Sequence, residues 1–448
     1  MRVSAVPVRR TLVLLPVLAT AVLAAVWPGA TADGATATAA ARHPKTEWVG
    51  TWSASPNVPF SEGVSADGFR DRTIRQTLHT SLGGDRLKLQ LSNVHGERPL
   101  RIDALELARP QGKGGVEPGS GTDVTFEGRR SVTVPVGATA TSDAIRHHVA
   151  SDRDVTVSLY VSEPTGPTTW HRLAASTTYL STPGDHTSDT SGDAFPATES
   201  SFFFVSALHV ATSPHAGAVV TFGDSLTDGV GSTTDANRRY PDVLARRLGG
   251  DTGVLNQGIG ANQVINDTEY GSVGALGRFE RDALSQPGVR DVIFLEGVND
   301  ILGAAYFPDD APTAEELIAA YESLIDRAHR RGLRILGATL PPIGGAEEYT
   351  PEGEEMRQTL NTWIRDESSF DGVIDADALW RDPADPSHLD PAYDSGDGLH
   401  PNDAGYRALA HAIDLSCLTP ASESPVTNGS RDECTLWPEA RPRPPHRP

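Results

Sequence analysis

From Glu47 onward, apolar and polar residues alternate in short runs broken by Gly, Pro, Asn and Asp. Leu87-Lys88-Leu89-Gln90-Leu91 and Val155-Thr156-Val157-Ser158-Leu159 keep a period of two, the pattern of strands with one face on a core. Trp48 to Ser53, Thr73 to Leu82, Leu100 to Leu107, Val124 to Val136 and Thr169 to Leu180 are further strand-like runs. Many short strands at near-regular spacing predict an antiparallel all-β sandwich, jelly-roll-like, over residues 46–210. Residues 183–201 are polar and poor in aliphatic side chains, which predicts a long surface loop.

The pattern then changes. Val219 to Phe222, Val254 to Leu255, Val292 to Leu295, Leu333 to Leu336 and Val373 to Ile374 are apolar runs separated by stretches of helical periodicity. The clearest of these predicts a helix over 313–331. Thr313 and Glu316 form a capping box, Leu317, Ile318, Tyr321, Leu324, Ile325 and Ala328 line one face, and Gly332 stops it. Strands alternating with helices predict a parallel sheet covered on both faces, a three-layer α/β/α domain over residues 216–418. No internal repeat is visible.

The ends read differently. Arg2, Arg9 and Arg10, the apolar run Leu12 to Val26 and the small residues Ala30-Thr31-Ala32 make residues 1–32 a signal peptide, so the mature protein is expected to be secreted. Residues 33–45 are expected to be a disordered linker and 419–448, rich in Pro, Ser and Arg, a flexible tail. Cys417 and Cys434 are the two cysteines, and an oxidising compartment favours a disulfide between them over a metal site. The formal charge of -21 makes nucleic acid a poor partner, and no second apolar run supports a membrane span. The oligomeric state is left open.

Chemistry concentrates in the second domain. Gly223 follows a predicted strand and lets the backbone turn before Ser225, in Gly-Asp-Ser-Leu. A serine hydroxyl is a weak nucleophile until an oriented base takes its proton. His400 is the candidate base, and Asp397, three residues earlier, reaches the other ring nitrogen through the Gly398-Leu399 turn. Pro401 is expected in the first turn of a helix carrying Tyr406, Leu409, Ala410 and Ile413. Asn299 follows the Val292 to Leu295 strand and is the side-chain candidate for an oxyanion donor.

Taken in order, Gly-Asp-Ser-Leu at 223–226, Asn256 to Asn262, Gly297-Val298-Asn299-Asp300 and Asp397-Gly398-Leu399-His400-Pro401 resemble the four motif blocks of the GDSL or SGNH hydrolases. The resemblance covers residues 216 to 416. It implies a flavodoxin-like catalytic sheet and a serine esterase acting through an acyl-enzyme, with Ser225, His400 and Asp397 catalytic and neither metal nor cofactor. It also implies an oxyanion hole from Asn299, the N–H of Ser225 and the N–H of the residue aligned with the family glycine, which here is Ala261, preceded by Gly260. The family's substrates include acetylated sugars, aryl esters, short-chain lipids and phospholipids, so the expected partner is a small ester or an acylated polysaccharide.

Other chemistries lack their motifs. Gly258-Ile259-Gly260 has no third glycine of a dinucleotide loop, and there is no Walker lysine, no His-Glu-x-x-His and no Gly-x-Ser-x-Gly elbow. The rival is a secreted glycan-binding protein with an idle hydrolase domain, for which Trp48, Trp52 and Trp170 are the stacking candidates; the same residues also suit a core.

Overall fold

Two antiparallel sheets fill the first half of the computed structural model, which describes residues 47–212 and 216–418. The expected signal peptide, the linker to residue 46, the tail from 419 and Cys434 lie outside the described residues. One sheet orders Glu47–Ser53, Val205–Thr212, Gly84–Ser92 and Thr139–Thr141, with Ile145–Val149 also paired to Gly84–Ser92. The other runs Ala197–Glu199, Thr178–Pro183, Arg72–Thr80, Arg153–Val161, Ala104–Ala108, Thr122–Asp123. Leu87, Leu89 and Leu91 of the first, with Ile74, Leu78, Val157 and Leu159 of the second, are buried as the alternation requires.

Several runs are shorter than expected because polar side chains interrupt the ladder. Leu100 to Leu107 divides at Asp103, whose carboxylate accepts from the N–H and hydroxyl of Ser162. Val124 to Val136 keeps only Val132–Val134, since Glu127 and Gly128 turn at positive φ and donate their N–H groups to Asp143. Thr169 to Leu180 becomes Trp170–His171 and Thr178–Pro183. The segment 183–201 is anchored and contributes the strand Ala197–Glu199. Buried Arg75 donates to the carbonyls of Gly114, His186 and Asp189, and Thr156 and Ser158, expected to face solvent, are buried as well. Trp52 and Trp170 are core residues: Trp52 meets Phe202 edge-on, and Trp170 stacks on Phe203 while its indole N–H donates to Val58. Trp48 lies under Lys88, whose ammonium is 4.6 Å from the ring centre.

The second half is a five-stranded parallel sheet in the order Thr252–Gly258, Gly217–Gly223, Val289–Leu295, Arg334–Ala338, Gly372–Ile374. Thr252–Gly258, second in sequence, lies outside Gly217–Gly223, so the strand order reverses at Gly217–Gly223, and such a switch point leaves a crevice beyond the strand ends. Helices Tyr240–Arg247, Ala314–Arg330, Pro351–Asp366 and Asp403–Ala412 accompany the sheet. Thr313 and Glu316 make the expected reciprocal cap, and Gly332 takes φ 71° after the helix. The last helix begins two residues later than Pro401 because Asn402 caps it, accepting from Ala404 and Gly405. Among the described residues no helix is long and apolar enough to cross a membrane.

The sheets of the two halves meet at Thr252–Gly258, an edge strand of the parallel sheet. Ser81 exchanges hydrogen bonds with Val254 through its hydroxyl, Ser53 donates to the Asn256 carbonyl, and Gly50 N–H donates to Pro287. These contacts cover an edge that would otherwise present unpaired backbone groups. The approach is close enough that a Cβ on Gly253 would lie 2.1 Å from the Gly50 carbonyl oxygen. Gly253→Ala is therefore expected to cost about 1–3 kcal/mol, read from urea unfolding. Unchanged stability would mean that the two strands separate without penalty.

Candidate active site

The strand Gly217–Gly223 ends beside Val289–Leu295, so close that a Cβ at Gly223 would sit 2.0 Å from the Leu295 carbonyl oxygen. Only glycine fits there, and the chain leaves the sheet at once into a single helical turn, Ser225–Asp228. Asp224 caps that turn by accepting from Leu226 N–H at 2.9 Å, and Gly229 closes it at φ 102°. Ser225 is thereby the first residue of the turn. Its own N–H has no acceptor among the described residues and points outward with the positive end of the local backbone.

Ser225 Oγ lies 2.8 Å from His400 Nε2, and His400 Nδ1 lies 2.7 Å from Asp397 Oδ2. The other Asp397 oxygen accepts from the N–H groups of Leu399 and His400, a tight turn that fixes carboxylate and imidazole together. Gly398 makes the turn possible: its φ is 74°, and a Cβ would meet the Gly345 carbonyl at 2.4 Å. Burial pushes the Asp397 carboxyl up, but the donors from His400 and Leu399 outweigh it and hold the group below its usual range. Asp394, the other acid of this loop, is committed to the turn through Gly396 and Gly398 N–H.

Two further donors line the same cleft. Asn299 uses one amide hydrogen on the Asn262 carbonyl at 2.9 Å, which leaves its second amide hydrogen available. Within the second motif block, Gly260 N–H is engaged by Asp228 and Asn262 N–H by the Ile259 carbonyl. Ala261 N–H, between them, has no acceptor among the described residues. Ala261 also adopts φ 64°, the left-handed conformation that a glycine takes without penalty. Asn256 lies within the strand rather than after it and braces the serine turn from behind, donating to the Thr227 carbonyl.

A layer of buried charge lies beneath, and none of it was singled out from the sequence. Arg278 donates to Gly223 and Gln257 carbonyls at 2.8 Å and to the Asn262 side chain at 2.7 Å. Asp300 holds the second-block loop by accepting from Val264 and Ile265. Burial pushes Asp224 and Asp300 up to about 7 and Glu296 well above its usual range. His171 and Arg172 of the first domain reach Asp228 and Gly260. Asp224 and Asp300 stand inside the motif blocks beside Ser225 and Asn299; Asp228, Arg278, His171 and Arg172 lie outside them and carry no local signal. The cleft over these groups has a volume of about 580 Å³, with Leu173, Val230, Leu302 and Phe307 on its apolar wall.

Residues 221–408 match the family model for the GDSL-like Lipase/Acylhydrolase family. A search of curated proteins returns no match. Among solved structures, the chain is similar to a carbohydrate acetylesterase family member from Sinorhizobium meliloti, at 21% identity over 44% of this chain and 94% of that one, TM-score 0.36. It is also similar to the M. smegmatis aryl esterase, at 20% identity over 44% of this chain and 95% of that one, TM-score 0.36.

The raised Asp224 carboxyl predicts a pH dependence. An acid whose folded pKa lies above its unfolded value favours folding below the unfolded pKa, about 3.9 for aspartate, and that advantage is lost as pH rises through its folded value of about 7. Asp224→Asn keeps the oxygen that caps Leu226 and removes the titration. Its stability is expected to fall less than that of the wild type between pH 4 and 7, measured by chemical unfolding across that range; parallel curves would refute the shift.

Proposed function

We propose that residues 221–408, a domain of the GDSL-like lipase/acylhydrolase family, hydrolyse carboxylic esters through an acyl-enzyme on Ser225, in a protein that is exported from the cell. The observation that carries this reading is the unbroken hydrogen-bonded path from Ser225 Oγ through the His400 ring to Asp397. Ser225 attacks the ester carbonyl carbon as His400 Nε2 takes its proton, while Asp397 holds the Nδ1–H tautomer and stabilises the imidazolium. The carbonyl oxygen becomes an oxyanion, received by the N–H groups of Ser225 and Ala261 and the Asn299 amide, each such donor contributing about 3 kcal/mol. Collapse of this intermediate expels the alcohol, which takes the proton from His400. Water then repeats the sequence on the acyl-enzyme and releases the acid.

The cleft supports a short acyl group against Leu173, Val230 and Leu302, with room at its open side for what the ester is attached to. A small ester or an acyl group on a polysaccharide both meet that description. The basic, apolar and small-residue pattern of residues 1–32 supports export.

Ser225→Ala is expected to abolish turnover of nitrophenyl esters and of acetylated xylan while leaving the circular dichroism unchanged. Substantial activity in a folded Ser225→Ala protein would remove the nucleophile assignment. Asp397→Asn is expected to lower kcat by about 10³- to 10⁴-fold, because the amide no longer holds the productive tautomer. A loss below about tenfold would show that another group orients His400.

A further inference from the structure

His171 and Arg172 are neighbours in the first domain, and they converge on one residue of the second, Gly260. His171 Nδ1 faces the Ser55 carbonyl at 3.0 Å and must donate to it, and Nε2 and Asp228 Oδ1, 3.1 Å apart, share a further proton. The other Asp228 oxygen accepts from Gly260 N–H at 3.0 Å. Arg172 Nη2 donates to the carbonyl oxygen of the same glycine at 3.1 Å. Gly260 is thus held through its N–H from one side and through its C=O from the other.

The Gly260 carbonyl and the Ala261 N–H belong to one planar peptide unit, so fixing the oxygen fixes the direction of the N–H. We propose that His171 and Arg172 are positioning residues that clamp this peptide and aim the Ala261 N–H at the forming oxyanion. The proposal rests on the reading of Ala261 as an oxyanion donor.

Three features support the clamp. Ala261 at φ 64° is an L-residue in an unfavourable conformation, and an unheld loop would relax by rotating this peptide and turning its N–H away. A cation on a peptide carbonyl polarises the unit and strengthens its N–H as a donor. The main chain at Arg172 is held by its backbone N–H, which donates to the Asn57 side chain, and the Phe60 ring centre lies 5.7 Å from the guanidinium Cζ. Contact is close, since a Cβ at Gly260 would meet Leu173 Cδ1 at 2.4 Å and Arg172 Nη2 at 3.0 Å.

The test is steady-state hydrolysis of a nitrophenyl acetate-type ester by the full chain carrying Arg172→Gln, Arg172→Lys or Arg172→Ala, with thermal unfolding to confirm folding. Arg172→Gln is expected to lower kcat by about 10- to 100-fold with KM changed by less than about threefold, because the donor acts in the transition state. Arg172→Lys should recover part of the loss, and added methylguanidinium should raise kcat of Arg172→Ala. An aryl boronic acid, which forms a tetrahedral adduct on a nucleophilic serine, should lose affinity in parallel with kcat. A folded Arg172→Gln enzyme with kcat within about threefold of wild type, or with its loss confined to KM, overturns the clamp. Asn299→Ala, run beside it, separates the two levels of the argument. If Asn299→Ala lowers kcat and Arg172→Gln does not, the clamp alone fails; if Ser225→Ala stays active, the hydrolase reading fails first.

Discussion

A single buried guanidinium, that of Arg278, ties together the segments from which the site is built. It reaches the end of the nucleophile strand at Gly223, the end of the neighbouring strand at Gln257, the second-block loop at Asn262 and the first domain at Ser55. Its flat face lies over Phe222, with Cζ 3.8 Å from the ring centre, so the residue is held by packing as well as by donors. The Asp282 carboxylate and the buried Glu296 carboxyl group stand near it at 3.6 and 3.4 Å. Removing one partner from a buried charged set of this kind costs about 3–5 kcal/mol, since the remaining charges are left unpaired. The strand end that leads into the serine turn and the second-block loop therefore share one buried cation as a common reference point.

That arrangement places acids directly below a site that, on the proposed mechanism, accepts negative charge. Ionised carboxylates at Asp224, Asp300 and Glu296 would oppose an oxyanion forming on the substrate. Burial favours their neutral forms, raising Asp224 and Asp300 to about 7 and Glu296 further. Asp397 has the opposite environment. It is half-exposed, and donors from His400 and Leu399 outweigh what burial it has and hold its carboxyl below the usual range, beside the His400 ring. Carboxyl groups around one cleft are thus shifted in opposite directions by their surroundings: donors lower Asp397 beside His400, and burial raises those beneath Ser225.

The parts of this site legible in the sequence are those set by short-range geometry. Asp397 and His400 are three residues apart and meet across one turn. Ser225 and Asn299 each follow an apolar strand of the same sheet, which brings them to one edge without further information. The helix from Thr313 was equally legible, because cap, stripe and stop all lie within it. The strand runs around Asp103 and Gly128 were read as too long because a side-chain bond from Ser162 or Asp143 ends them, and neither partner is close in sequence. Arg75 escaped notice for the same reason: it organises the loop 183–201 across more than a hundred residues. His171 and Arg172 stand in an irregular stretch and meet Asp228 and Gly260 only because the two domains dock, while Arg278 is one charge in a charged helical run whose closest partners lie on other segments of the second domain.

Docking also accounts for the departure at Ala261. A left-handed alanine costs about 1–2 kcal/mol relative to the right-handed form, and glycine at that position would avoid the cost. The loop can bear alanine because its conformation is imposed from outside: Asp228 and Arg172 hold Gly260, Arg278 and the Gly271 and Val273 carbonyls hold the Asn262 side chain, and Gly271 itself approaches Ala261 too closely for a Cβ. With the neighbours on both sides fixed, backbone freedom at 261 has no use, and the methyl group instead becomes part of the cleft wall. The first domain is then a component of the cleft rather than an attached module. It covers the edge strand Thr252–Gly258, supplies Leu173 to the cleft, and holds the loop that follows that strand in a conformation the loop's own sequence does not favour.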